Sequence, residues 1–270
     1  MPLLSLAHLT ILPADPLQLI ECAAQAGFDA IGLRIQPPLP GDTIVPVVGD
    51  REMQRAIRRR LRETSLSLLD IEAFWIMPDT DMIAFRDAFA VGAELGARYV
   101  LVVGNDPDRM RLADRFAQLC DHARANALIP MLEFIPYSEV RSLSDAHDLI
   151  VDTRATNAGL LVDALHLGRS GGSPADIALY APELFHYMHL CDAPAVAPSR
   201  DGIRAEARGG RLYPGEGGLA LARFISSFPA ATPIAIEAPS ARHRHLTLAE
   251  QAALAARSAR AVIAQANGHG

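Results

Sequence analysis

Short apolar runs alternate with longer amphipathic stretches from one end of the chain to the other. The runs Leu3–Leu6, Ala30–Leu33, Ser67–Ile71, Tyr99–Val103, Pro130–Phe134, Gly159–Val162, Phe185–Leu190 and Pro233–Ile236 are β-branched or continuously apolar and read as buried strands. Helical periodicity falls on Pro16–Ala26, Arg51–Glu63, Asp81–Leu95, Arg109–Asn126, Leu143–Thr153, a short piece near Ala175–Leu179, Leu219–Phe228 and Leu248–Ala266. Asp15-Pro16 and Ser173-Pro174 have the N-cap-then-proline form of a helix start, while Gly27 and Gly96 stand where a helix should stop before a strand. Eight strands, each followed by a helix, predict an α/β protein folded as a single (β/α)8 barrel. The rival, a doubly wound sheet, would bring fewer units and a Gly-rich first turn, and no GxGxxG follows the first strand. No Pro- or Gly-rich linker divides the chain, so residues 1–270 read as one domain, with 267–270 as a frayed tail. The longest irregular stretch is Asp192–Gly218, a length typical of functional loops.

Composition narrows the chemistry. Half of the 270 residues are hydrophobic and 21% are charged, which suits a large core and excludes disorder. A formal charge of -6 gives no general attraction to nucleic acid or to an anionic membrane. No apolar run is long enough to span a bilayer, and the N-terminus lacks the basic start and cleavage site of a signal peptide, so a soluble, cytoplasmic protein is expected. The three cysteines are widely spread without a CxxC pair, against a disulfide framework or a thiolate zinc site. All 25 basic residues are arginine. The absence of lysine excludes Schiff-base aldolases, pyridoxal-phosphate enzymes and P-loop NTPases, each of which needs a lysine amine.

In such a barrel the chemistry sits at the C-terminal ends of the strands. The last four predicted strands end in MLEF, LLVD, YMHL and IAIE, which places Glu133, Asp163, His189 and Glu237 at one height. A single acid or histidine after a strand is most often a solvated loop residue. Four converging at one mouth would repel one another unless a cation sat among them. Three carboxylates and one imidazole suit Mn²⁺, Mg²⁺ or Co²⁺, with Zn²⁺ also admitted. At these residues the chain resembles the xylose-isomerase-like TIM-barrel superfamily, from QAGFDAIGLR to the glutamate of strand eight. The resemblance implies one divalent metal held by Glu133, Asp163, His189 and Glu237. It also implies substrate contacts from His166, in LVDALHLGRSGG, and from Arg211, in RLYPGEG after HLCDA.

The expected activity is isomerisation or epimerisation of a sugar, cyclitol or related keto-polyol through an enediolate, with Glu133 and Glu237 as the acid and base. His8, Arg34, Glu72, Trp75 and Asn105, near the ends of the first four strands, are candidate substrate contacts, and Arg34 with Glu72 also reads as an ion pair. His243 and His245 in SARHRHL read as surface residues, and Cys191, just beyond His189, is expected to point away from the site. The alternative activity is a metal-dependent dehydratase of the 3-dehydroshikimate dehydratase type, against which Ile135 and Pro136 stand where a polar contact is expected. A non-catalytic sugar-binding barrel ranks below both, and DNA repair chemistry is disfavoured by the acidic charge and by His8 being the one early histidine. The expected partners are a small-molecule polyol or keto-acid substrate and further copies of the chain, as a dimer or tetramer, with no nucleic acid and no membrane.

Overall fold

The computed structural model describes residues 2–39 and 41–267. In chain order its main elements are β1 (Leu4–Leu6), α1 (Pro16–Ala26), β2 (Ala30–Arg34), α2 (Arg51–Thr64), β3 (Ser67–Ile76) and α3 (Phe85–Leu95). Then follow β4 (Tyr99–Gly104), α4 (Arg109–Arg124), β5 (Ile129–Glu133), α5 (Leu143–Thr153), β6 (Gly159–Asp163) and α6 (Ala164–Arg169). The last are β7 (Met188–Leu190), α7 (Ile203–Gly209), α8 (Leu221–Ser226), β8 (Ile234–Ile236) and α9 (Leu248–Asn267). The strands form a closed parallel barrel in sequence order, β1 pairing with β8 through Leu4–Ile234 and Leu6–Ile236. The (β/α)8 expectation holds.

Both faces of the strands are covered, which explains their continuous apolar runs. In β4, Val100 and Val102 pack outward in the larger apolar cluster with the helices, whereas Tyr99, Leu101 and Val103 join a second cluster inside the barrel. Ala30, Leu69, Ala73, Met131, Ile135, Leu161, Tyr187 and Ala235 complete that inner plug, and the ionisable ends of the strands stand beside it. Register shifts in β3 opposite both neighbours push Asp70 and Glu72 into the interior.

Several boundaries differ from the sequence pattern. The two acids of β3 interrupt its apolar run and hide its continuation to Ile76. The helix expected from Asp81 opens as a 3-10 turn, Met82–Ala84, because the Asp81 carboxylate accepts the Ile83 N–H. β7 starts at Met188, after a 3-10 turn at Pro182–Leu184. The piece near Ala175–Leu179 is a 3-10 helix, Pro174–Leu179, and the helix that follows β6 is α6, six residues long and too short to show a period. The stretch expected to be irregular holds α7. Asn267 ends α9 rather than starting a tail, and 268–270 lie outside the described residues. Among the described residues no helix is long and apolar enough to cross a membrane.

The long connection after β7 is tied at its base. The Asp192 carboxylate accepts the backbone N–H groups of Ala193, Gly215, Gly217 and Leu219 at 2.8–3.0 Å. Gly217 is required there, since a Cβ would stand 2.3 Å from the Ala193 carbonyl oxygen. His243 stacks on Tyr213 at 4.5 Å and meets Glu216 at 2.9 Å, joining this connection to the one after β8.

Candidate functional site

The strand ends of β5 to β8 converge. Glu133, Asp163, His189 and Glu237 are all buried, and one ligand atom from each lies within 4.8 Å of the others. His189 Nδ1 faces Glu133 Oε1 at 3.3 Å, Glu237 Oε2 at 3.5 Å and Asp163 Oδ2 at 3.9 Å. Neither His189 nitrogen nor Glu133 Oε1 has a hydrogen-bond partner. Buried polar atoms without partners are rare, and here His189 Nδ1 and Glu133 Oε1 stand together among three carboxylates. Oxygen and imidazole donors in this arrangement could hold a divalent metal ion, so the residues fit the group.

The electrostatics agree. Burial raises the Glu133 carboxyl to about 7, against the pull of His189. Burial acts the same way on Glu237, but His189 and Arg211 outweigh it and hold this carboxyl well below its usual range. The imidazole of His189 is pushed down by burial, yet Glu237 and Glu133 keep it far above its ordinary value. The cluster therefore demands positive charge at its centre.

Arg211 reaches the cluster from the long connection after β7. It is 2% exposed and donates to Asp163 Oδ2 at 2.6 Å, to the Glu237 carbonyl at 2.9 Å and to the Ala207 carbonyl at 2.9 Å, and it pairs with Glu237 Oε2 at 2.9 Å. It thus links two strand ends. The other Asp163 oxygen caps α6 by accepting the N–H groups of Leu165 and His166. His166 stands 3.4 Å from Arg211 Nη2, and burial lowers its imidazole to about 4. Cys191 does not point away. It lies two residues from His189, hence on the same side of the strand, and its sulfur is 3.4 Å from Arg211 Nη1.

The ends of β1 to β4 behave differently. Arg34 and Trp75 line the cleft over the quartet. Glu72 is fully buried beneath Arg34, at 3.8 Å, and its other oxygen accepts the His8 N–H at 3.0 Å, so it sits behind the cleft wall. His8 is likewise no lining residue. Its Nδ1 accepts the Arg34 N–H at 3.2 Å and its Nε2 donates to the Ala14 carbonyl at 2.9 Å, which together require the neutral ring. Burial lowers its imidazole to about 4. Asn105 donates its amide to the Met77 sulfur at 3.3 Å and is not among the lining residues. Of the residues expected to contact a substrate, His8, Glu72 and Asn105 are thus not among those that line the cleft.

Other residues of the site escape sequence reasoning. Asp70, in the middle of β3, is wholly buried and accepts the Tyr187 O–H at 3.0 Å, while burial and then the Glu72 charge push its carboxyl far upward. Gly32 makes room for both acids, since a Cβ there would lie 2.4 Å from Glu72 and 2.6 Å from Asp70. Tyr137, Arg208 and Asp42 line the cleft from loops and from α7, where no periodicity announces them. Arg208 reaches Asp42 at 3.3 Å across the mouth. The remaining wall is apolar: Leu9, Pro38, Ala73, Leu101, Val103 and Ile135.

A family model described as xylose isomerase-like TIM barrel matches residues 20–263. A 3-dehydroshikimate dehydratase of Pseudomonas aeruginosa is 29% identical over 220 residues, 77% of this chain and 33% of its own length. The chain thus spans about a third of that curated relative. Among solved structures, a xylose isomerase-like TIM barrel/4-hydroxyphenylpyruvate dioxygenase fusion protein superposes with a TM-score of 0.79 at 20% identity, over 95% of this chain and 42% of the other. The IOLI protein with a binding zinc atom gives 0.78 at 18% identity, over 97% and 98% of the two chains. An L-ribulose 3-epimerase gives 0.72 at 16% identity, over 100% and 97%. At such identities these structures speak for the fold.

Proposed function

Because this chain belongs to the xylose isomerase-like TIM barrel family, we propose that it is a divalent-metal-dependent isomerase or epimerase of a small sugar, cyclitol or related keto-polyol. The observation that carries this reading is the buried set Glu133, Asp163, His189 and Glu237, with donor atoms within 4.8 Å of one another. A divalent cation held by these four would polarise a carbonyl and its adjacent hydroxyl and ease proton loss from the neighbouring carbon.

The protein's own groups carry the rest. Glu133 lines the cleft and burial raises its carboxyl to about 7, so the Glu133 oxygen left free by a bound cation would exchange the substrate proton. In an aldose–ketose shift Glu133 returns the proton to the adjacent carbon. In an epimerisation Glu237, held ionised on a strand across the mouth, takes the proton from one face and Glu133 returns one to the other. Arg211 fixes Asp163 and Glu237 through its hydrogen bonds and ion pair. Trp75 and Tyr137 border the substrate, and the apolar wall limits water around the reacting carbon.

The likeness to a 3-dehydroshikimate dehydratase supports a second reading. There the same proton is removed, a β-hydroxyl leaves, the two depart as water, and a carbon–carbon double bond remains conjugated to the carbonyl. Ile135 in the cleft wall, where a polar contact is expected for that reaction, keeps it second.

Manganese-loaded protein incubated in D₂O with a panel of ketoses and inososes is expected to place solvent deuterium on carbon. Glu133→Gln is expected to lower that exchange by about a thousandfold. Absence of carbon-bound deuterium across the panel would overturn the proposal, and a newly formed, more conjugated ultraviolet-absorbing product from a keto-cyclohexene acid would favour the second reading.

A further inference from the structure

Arg34 is the one guanidinium with a side chain less than a tenth exposed that donates no hydrogen bond among the described residues. The other two are fully engaged. Arg211 is bound as described, and Arg169, 3% exposed, grips both Glu206 oxygens at 2.8 Å and the Pro194 carbonyl at 2.7 Å. Arg34, 9% exposed, has its nearest carboxylate at 3.8 Å from Nε, beyond hydrogen-bond reach, and that Nε is buried without a partner. The side chain stands at the end of β2 and lines the cleft on the far side from β6 and β7. A planar fork of donors held this way is pre-organised for a flat two-oxygen acceptor.

We propose that Arg34 reads a carboxylate on the substrate, so that the reaction acts on a keto-polyol acid rather than on a neutral sugar. This rests on the proposed proton-transfer chemistry and names the substrate class for the same site. Three observations favour a carboxylate over other occupants. The counter-charge of Glu72 stays beyond hydrogen-bond reach at 3.8 Å, so the donors of Arg34 are left for an anion in the cleft. Glu72 lies 3.8 Å from Arg34, and Glu133 and Glu237 share the cleft lining, so the site opposes the single charge of a carboxylate less than the two of a phosphate dianion. Glu72 is itself held by the His8 N–H, so it steadies Arg34 from behind without occupying its fork. Substrate held at Arg34 and at the quartet would span the cleft, which sets its reacting carbon near Glu133.

The test uses a matched pair. 2-Keto-D-gluconate and D-fructose differ only in a carboxylate against a hydroxymethyl group at the first carbon, and fructose 6-phosphate supplies the dianion. Binding of each to the metal-loaded protein is measured by calorimetry. The keto acid is expected to bind at least tenfold more tightly than fructose, and Arg34→Gln is expected to shrink that preference to within twofold. Arg34→Lys keeps a charge beside Glu72 if the glutamine variant fails to fold, and is expected to lose most of the preference because it lacks the fork. Equal binding of acid and sugar, tighter binding of the phosphate, no binding of the acid at millimolar concentration, or a preference that survives both substitutions would each overturn the proposal. Metal stoichiometry is read on the same samples. Protein that holds no divalent ion would defeat the proposed function, whereas bound metal with no carboxylate preference would defeat only the role of Arg34.

Discussion

Strands β5 to β8 each end in an ionisable side chain turned toward the other three, whereas β1 to β4 end in polar groups mostly absorbed by neighbouring backbone. In the closing half, Glu133 Oε1 and both His189 nitrogens stay unpartnered, and charge is concentrated. In the opening half, His8 is locked between the Arg34 N–H and the Ala14 carbonyl, Glu72 takes the His8 N–H, and Asn105 is drawn to Met77. A barrel mouth can thus place reactive groups on one arc and brace the other, with Arg34 and Trp75 as the braced arc's contribution to the cleft. The difference lies in where ionisable groups converge, since the opening half too leaves Arg34 Nε, Asp70 Oδ1 and Glu72 Oε2 without hydrogen-bond partners.

The sharpest way to break this contrast is to remove the link that holds the reactive arc together. Arg211→Met leaves the Asp163 and Glu237 carboxylates buried without their guanidinium. The metal-free variant is expected to lose about 3–5 kcal/mol of unfolding free energy in urea, the range for breaking a buried ion pair. Added divalent cation is expected to recover part of that loss in the variant, because it supplies the missing positive charge. Unchanged stability would show that the arc does not depend on Arg211.

A smaller effect is expected from the braced arc. His8 titrates near 4 in the folded chain against 6.5 for a free imidazole, so the unfolded chain binds its proton first. Its stabilising contribution is complete above pH 6.5, falls as pH drops through the window down to about 4, and is absent below it. That window corresponds to roughly 3 kcal/mol at 1.36 kcal/mol per unit. The stability gap between the wild-type protein and His8→Gln, measured in urea, is expected to narrow from pH 7.5 to pH 4.5. A gap independent of pH would mean that the ring is not held neutral. The smallest change is expected from Asn105→Ala, which removes a side chain outside the cleft and is expected to leave turnover within about twofold. A large loss would return Asn105 to the substrate.

The reactive arc was legible in the sequence because each member follows an apolar run at a strand terminus, where a barrel always places chemistry. Asp70 was not, since it interrupts β3 and enters the interior only through a register shift opposite Gly32. Glu72 and His8 were legible as polar strand ends but not as mutual partners, because their contact joins positions far apart in the chain. Tyr137, Asp42 and Arg208 sit on loops and on a seven-residue helix, where position in space is set by packing rather than by any repeat. Helix α6 is similar, being defined by the Asp163 cap more than by an amphipathic period.

Asp192 gives the architecture a further property. One carboxylate closes the neck of an excursion that carries α7, Arg208 and Arg211, so the outer part of that excursion is a replaceable module. Splicing a different segment between Pro194 and Glu206, with Glu206 kept for Arg169, would redesign the roof over the cleft without disturbing the staves of the barrel. Cutting the neck would do the opposite, since slack there would pass through Arg211 to Asp163 and Glu237, and a change in the roof would then disturb the buried cluster as well.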